Sequence, residues 1–262
     1  RAQPVSVIEV DLTGAEVLWP DGLSRDTLSL AGGRIADAPV GRTVDLSGFL
    51  VLPGIVDLHG DAFERHVAPR RGVMSDAAEG IVATEAEIAA NGVTTAVIAQ
   101  FFSWEGGLRG ADFANTVLRA MARVKGGLVT DLIAQLRFEI GLLDDYATLA
   151  QKVREWDVGY VVFTDHLPHD RLSEGRKPPR LTGQALKAGR NPEAQLAMMQ
   201  TMHDRWAEVP DALDWLTAEL AGQGIRLGSH DDSSPDARRD WRARGVRLSE
   251  LPETLETAGE GR

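Results

Sequence analysis

The pattern of apolar and polar residues along this chain changes near residue 50. Before that point, short β-rich segments such as "VSVIEVDL" and "AEVLW" are separated by residues typical of tight turns. The segment "DTLSLAGGRIAD" predicts a β-hairpin with Gly32 and Gly33 at its tip. The pattern therefore predicts a small, β-sandwich-like domain over residues 1–50.

From Phe49 onward, strand-like segments alternate with helical ones. Six segments are predicted to be strands: "FLVLPGIVDLHG", "VTTAVIAQ", "DLIAQLRFEIGL", "VGYVVFTDH", "IRLGSHDD" and "VRLSELP". We expect the first to be buried, Ser75 to cap the first helix, and Asn191 to cap the helix that begins at Pro192. Residues 167–190 are predicted to form a long polar loop. This alternation predicts an α/β domain over residues 51–262, with a parallel sheet and right-handed crossovers.

The overall composition narrows the function classes. The 262 residues are 43% hydrophobic and 26% charged, which is typical of a folded domain with a sizeable core. There is no apolar run of about 18 residues and no leader-like start, so we expect no membrane span and a cytoplasmic location. The net charge of −11 argues against a nucleic-acid partner. A homo-oligomer is left open.

Four of the predicted strands carry side chains at their ends that can bind a metal ion. These side chains are His59 and Asp61, then Glu139, then Asp165 and His166, and finally His230, Asp231 and Asp232. In an α/β barrel the carboxyl ends of the strands open onto one face, so the groups would meet there. Because the chain has no cysteine, the ligands would be nitrogen and oxygen atoms, which suit Zn²⁺, Mn²⁺ or Fe²⁺. The alternative is a set of unrelated polar residues, each satisfied locally.

Basic residues follow the first of these strands. They are Arg65, His66, Arg70 and Arg71. Guanidinium groups suit phosphate oxygens, so the cluster favours a polyphosphate clamp, with a solvated loop as an equal alternative. Arg137 should point to the same side of its strand as Glu139, where it could touch a phosphate or pair with a carboxylate.

These motifs resemble the amidohydrolase superfamily, and within it the branch of α-D-ribose 1-methylphosphonate 5-triphosphate diphosphatases of the carbon–phosphorus lyase pathway. The resemblance is carried by "VLPGIVDLHGD", "DAFERHVAPRRG", "LRFE", "DHLP", "GSHDDSSP" and "GVRLSELPETLE". It implies a (β/α)8 TIM-barrel-like hydrolase with a small N-terminal β domain. It also implies cleavage of a ribose 5-triphosphate to the 5-phosphate and diphosphate, with two divalent metal ions, zinc first among them.

The resemblance also implies a role for each candidate residue. Of the implied metal ligands, His59 and Asp61 would bind one ion, Glu139 would bridge the ions or bind one of them, and His166 and His230 would hold the second ion. Asp231 and Asp232 are the catalytic candidates and would orient ligands or the attacking water. The substrate would be a small phosphorylated sugar, bound by Arg65, His66, Arg70, Arg71 and Arg137.

The sequence departs from the family pattern in several places. His59-x-Asp61 replaces the His-x-His of many members, and Gln135 stands where a histidine often precedes the "LR" pair. Six barrel strands are visible, whereas the family's eighth strand supplies an aspartate ligand. We expect residues outside this sequence to supply the last two strands. Two alternatives therefore stay open: an amide or cyclic-amide hydrolase, and a scaffold that binds metal without turnover.

Overall fold

The structure of the protein is a computed structural model that describes residues 8–70, 73–74 and 76–260. The chain divides into two compact units, one extending to Ile55 and the other beginning at Val56. In the ranges that are described, no helix has the length and apolar character needed to cross a membrane.

Short strands build the first unit. They are β1 (Val10–Thr13), β2 (Glu16–Trp19), β3 (Gly22–Ser24), β4 (Leu28–Ala31), β5 (Arg34–Ala36), β6 (Thr43–Asp45) and β7 (Leu50–Val51). They form a four-stranded sheet in the order β5-β4-β1-β6 and a three-stranded sheet in the order β3-β2-β7. The predicted hairpin is present between β4 and β5, which pair antiparallel. Gly32 and Gly33 both have positive φ, at 60° and 73°, which a two-residue hairpin turn of type I′ requires.

The second unit alternates strands with helices. Its strands are β8 (Ile55–Gly60), β9 (Val93–Phe102), β10 (Asp131–Glu139), β11 (Tyr160–Thr164), β12 (Arg226–His230) and β13 (Leu248–Glu250). Its helices are α1 (Glu64–Val67), α2 (Ala77–Ala90), α3 (Ala111–Val124), α4 (Tyr146–Glu155), α5 (His169–Ser173), α6 (Leu181–Lys187), α7 (Pro192–Asp204), α8 (Val209–Gly222), α9 (Pro235–Ala243) and α10 (Leu255–Gly259). The sheet order is β13-β12-β11-β10-β9-β8, and the pairings from β9 to β13 are parallel. Spatial order therefore follows sequence order, as it does in a barrel.

One hydrophobic core joins this sheet to its helices. Phe138 of β10, Leu118 of α3 and Leu216 of α8 all lie in it without solvent exposure. Burial of each such side chain contributes about 1.5–3 kcal/mol, so the helix faces that carry them dock on the sheet. The core fixes the strands and thereby the positions of the residues at their ends.

The sheet of the second unit is strongly curled. Strands β8 and β13 lie at opposite edges, and six flat strands would put those edges about 24 Å apart. However, Nδ1 of His59 on β8 lies 2.9 Å from Oε2 of Glu250 on β13. A direct side-chain contact between opposite edges requires the sheet to curve towards a barrel. The structure thus contains a partial barrel of six strands, which confirms the α/β class.

The apolar segment from Phe49 to Gly60 is not one buried strand, as the sequence had indicated. Its first part forms β7, which pairs with β2. Its second part forms the edge strand β8, where Leu58 is 68% exposed. An apolar run looks the same in a central strand and at an edge, because its place in the sheet depends on distant residues.

The prediction of a long polar loop over residues 167–190 is also wrong. The segment contains α5 and α6, whose Leu172 and Leu181 are buried in a cluster with Met199 of α7. Helices this short are marginal on their own and depend on such packing.

Of the two predicted helix N-caps, the one that lies among the described residues is present in the structure. Asn191 caps α7 as predicted, and its side chain accepts hydrogen bonds from the N–H groups of Glu193 and Ala194. Helix α2 is capped by Asp76, whereas Ser75, the predicted cap, lies outside the described residues.

Candidate metal centre

Three side chains that can bind a metal meet where strands from both edges of the sheet end. His59 is on β8, His230 is the last residue of β12, and Glu250 is the last residue of β13. One ligand atom of each lies within 4.8 Å of the others. The rings of His59 and His230 have centroids 5.3 Å apart. The sequence motifs imply that the two histidines bind different ions of one dinuclear centre, whereas the structure places their rings next to each other.

Glu250 is the residue that sequence reasoning missed. Its Oε1 accepts hydrogen bonds from Gln135 Nε2 at 2.6 Å and from the Tyr160 hydroxyl at 2.7 Å. Burial, and then the neighbouring Glu250 carboxylate, raise the pKa of Tyr160, so the phenol keeps its proton and donates it. The available signal was that Glu250 lies near the carboxyl end of the sixth predicted strand, as the other candidates do in theirs.

Arg137 faces both imidazoles from the middle of the sheet. Its side chain is buried, with Nη2 at 3.0 Å from Nε2 of His230 and Nη1 at 3.4 Å from Nε2 of His59. Its guanidinium carbon lies 4.1 Å above the centre of the Phe101 ring. Because a guanidinium can only donate hydrogen bonds, both Nε2 atoms must accept. Two neutral imidazoles therefore carry their protons on Nδ1.

Carboxylates face the Nδ1 side of both rings. Oε2 of Glu250 accepts from His59 Nδ1, and Oδ2 of Asp231 lies 2.9 Å from Nδ1 of His230, without hydrogen-bond geometry. Asp231 reaches this position with a left-handed backbone, at φ 55°. Burial, and then the positive charge of Arg137, lower the pKa of His230, which favours the neutral ring. A carboxylate behind an imidazole is a common arrangement around metal-binding histidines.

Two other predicted ligands, Glu139 and His166, lie together as a pair. Glu139 is fully buried and accepts from Nδ1 of His166, from the His166 backbone N–H at 3.1 Å and from the Ser103 hydroxyl at 3.4 Å. Burial lowers the pKa of His166, but the hydrogen bond and charge of Glu139 outweigh it, so the net shift is upward. The Phe101 ring contacts both this pair and Arg137, with its centroid 6.3 Å from that of His166.

The remaining carboxylate candidates lie outside the group of three. Asp61 is exposed. Asp232 is buried, and its Oδ2 accepts from the hydroxyls of Ser229 and Ser249 and lies 3.5 Å from a nitrogen of buried Arg238. These contacts give Asp232 a structural role, while its catalytic role stays a prediction.

The predicted phosphate-binding residues have mixed surroundings. Arg65 and His66 both contact the carboxylate of Glu87 on α2, His66 through Nε2 at 2.6 Å. Arg70 is exposed, and Arg71 lies outside the described residues. The structure thus gives two of these side chains an acidic partner.

The group of His59, His230 and Glu250 fits a divalent transition-metal ion. Two imidazole nitrogens and one carboxylate oxygen are a donor set found at catalytic zinc sites. Polar atoms without hydrogen-bond partners are buried beside it, among them Nδ1 of His230 and Oε1 of Gln135. This donor set suits one ion. The presence of two ions, held by His59, Asp61, Glu139, His166 and His230, stays a prediction.

Comparisons with known proteins concern the fold. No family model and no curated protein matches the sequence. Among solved structures, a putative prolidase from Bifidobacterium longum matches with a TM-score of 0.53 and 18% identity over 97% of this chain and 57% of the other. A D-hydantoinase (dihydropyrimidinase) from Thermus sp. matches with a TM-score of 0.42 and 18% identity, over 92% and 57%. The likeness to the prolidase shows a shared fold, and this chain spans 57% of that protein's length.

Proposed function

We propose that the protein is a metal-dependent hydrolase of the amidohydrolase superfamily. The observation that carries the proposal is the convergence of His59, His230 and Glu250 at the strand ends of a curled parallel sheet. That edge of an α/β barrel is where active sites are built. The sequence motifs and the fold shared with the prolidase support the same class.

The chain's own residues would prepare such a centre in defined ways. Glu250 holds the His59 ring, and Asp231 stands behind His230, so that both rings present Nε2 lone pairs to the centre. A divalent ion bound there would supply Lewis acidity towards water and the scissile group. The other ligands that the sequence motifs imply, Asp61, Glu139 and His166, are proposed to complete a centre of two ions together with His59 and His230.

We further propose a ribose 5-triphosphate substrate, carrying the 1-methylphosphonate group that the sequence motifs imply. Water would add to phosphorus, the phosphoanhydride P–O bond would break, and diphosphate would leave and take up a proton. Arg70 and Arg71, with Arg65, His66 and Arg137, are the proposed partners of the phosphate oxygens. The sequence motifs, which continue to the region of Glu250, support this assignment.

An amide hydrolase is the second candidate function. Two observations favour it: the protein with the shared fold is called a putative prolidase, and Glu87 already engages Arg65 and His66. On this alternative, the basic residues are structural, and the substrate carries an uncharged scissile amide.

A hydrolysis assay on the metal-loaded protein separates these functions. We expect diphosphate release from the ribose 5-triphosphate, its loss on chelation, and a loss of at least about 100-fold in His59→Ala. His203→Ala, which lies outside the proposed centre, should retain activity. Full metal content with cleavage of an Xaa-Pro dipeptide or a cyclic amide, and no diphosphate, would establish the alternative. Full metal content with neither activity would leave a binding scaffold.

The basic pair provides a matched test of the substrate class. Replacing Arg70 and Arg71 together by alanine should raise KM for the triphosphate about tenfold or more, because two charged partners of phosphate are lost. KM for a neutral amide should not change. An unchanged KM for the triphosphate would show that these arginines do not bind it.

A further inference from the structure

Arg137 stands on the metal-binding side of both histidines. Each terminal nitrogen of its guanidinium contacts one imidazole. Nη2 lies 3.0 Å from Nε2 of His230, and Nη1 lies 3.4 Å from Nε2 of His59. No other Nε2-facing donor to either ring is found in the described part of the chain. One planar cation therefore spans the two lone pairs that would bind a metal.

We propose that Arg137 occupies the cation position of the centre in the metal-free protein, so that its guanidinium and a divalent ion are alternative occupants of the His59–His230 pair. This inference rests on the metal centre of the proposed function. It assigns Nε2 of both histidines as the metal-binding atoms, Glu250 as the carboxylate that orients His59 rather than a ligand of the ion, and Arg137 as a built-in competitor of the metal.

The carboxylates on the far side of the rings support the choice of donor atom. Glu250 accepts from Nδ1 of His59, and Asp231 faces Nδ1 of His230. With Nδ1 protonated, only Nε2 of each ring retains a lone pair for a cation. An ion at about 2.0–2.1 Å from these nitrogens could not coexist with guanidinium nitrogens at hydrogen-bond distance from the same atoms.

The surroundings of Arg137 make it displaceable. Among the described residues no carboxylate forms an ion pair with it, although its side chain is only 5% exposed. The Nε atom of Arg137 has no hydrogen-bond partner, and its guanidinium group lies over the Phe101 ring. Hydrogen bonds to neutral rings are weaker than those of a buried ion pair. Once displaced, the guanidinium would be free to bind an anionic group of the substrate.

A metal-binding titration with a matched pair of variants tests the proposal. Arg137→Met keeps the apolar stem on Phe101 and removes the competing charge. Arg109→Met is the control, because Arg109 lies 4.3 Å from the centre of the same ring but pairs with Glu105. Zn²⁺ and Mn²⁺ are titrated into the metal-free full chain by calorimetry.

We expect Arg137→Met to bind the metal at least about tenfold more tightly than wild type, since the competing occupant is gone. Arg109→Met should bind it as wild type does. Equal or weaker binding by Arg137→Met would overturn the inference while leaving the metal centre in place. Failure of wild type and variants alike to bind metal would overturn both.

Two further measurements keep the test decisive. If Arg137→Met does not fold by circular dichroism, Arg137→Gln replaces it, with the same tightening expected. In the wild-type protein, nitrogen-detected NMR should show both imidazoles protonated on Nδ1 before metal is added. Slowly exchanging Arg137 guanidinium protons should be lost on metal addition. Persistence of those protons in the metal-bound protein would contradict mutual exclusion.

Discussion

Asp231 shows how a single residue prepares the candidate centre. Its left-handed backbone turns its carboxylate towards Nδ1 of His230. Asp tolerates this conformation better than most residues do. The carboxylate would then fix which ring nitrogen faces the metal.

We predict that Asp231→Asn weakens metal binding about 10- to 100-fold, because the amide removes the negative charge that faces Nδ1 of His230 and favours a proton there. Calorimetry with Zn²⁺ measures this change. Asp240→Asn, at an exposed position on α9, should bind as wild type does. Equal affinity of Asp231→Asn and wild type would show that Asp231 does not orient the ring.

Asp232 carries a prediction about stability. Its partner Arg238 has no solvent exposure, so removing the carboxylate leaves a buried, unpaired charge. Asp232→Ala should lower the free energy of unfolding by about 3–5 kcal/mol, measured by urea denaturation. Asp236→Ala breaks a surface pair with Arg239 and should have a much smaller effect. Similar losses in both variants would contradict the structural role of Asp232.

Helix α7 illustrates stabilisation at the level of an element. Its N-terminus is fixed by Asn191, and Met199 and Met202 pack it against the cluster of α5 and α6. Asn191→Ala should lower the free energy of unfolding by about 1 kcal/mol, because two backbone N–H groups lose their acceptor. Gln200→Ala, which removes only an exposed hydrogen bond on the same helix, should cost less. Denaturant unfolding compares them, and equal losses would exclude the cap as the cause.

Signals from neighbouring residues predicted which helices and strands form, but not where those elements pack. The alternation of strands and helices and the cap at Asn191 follow from neighbouring residues, and the structure contains them. The edge position of β8 and the packing of α5 and α6 depend on distant parts of the chain, so periodicity could not reveal them.

Some residues of the candidate site could likewise be predicted from the sequence, and others could not. His59 and His230 could be placed at one centre, because parallel strands end on one face. Glu250 carries the same strand-end signal, but its direct contact with His59 could not be predicted, because that contact exists only when the sheet curls and its edges approach. The partners of Arg137 likewise depend on that curvature.

At the scale of the whole molecule, metal binding should be linked to folding. An ion that binds only the native centre stabilises it by about 2.7 kcal/mol at 100 times Kd. Adding Zn²⁺ to metal-free protein should therefore raise Tm in wild type and in His203→Ala, but not in His59→Ala. Thermal denaturation followed by circular dichroism measures this shift. A rise of equal size in His59→Ala would place the stabilising ion elsewhere.

The central claim is that His59 and His230, from strands far apart in the order of the curled sheet, bind one metal ion. Anomalous X-ray diffraction from crystals grown with Mn²⁺ or Zn²⁺ tests it most directly. We predict a peak in the anomalous difference map at bonding distance from Nε2 of both His59 and His230, with the Arg137 guanidinium moved away. A map with no peak between these two rings, from crystals soaked to saturation, would contradict the account.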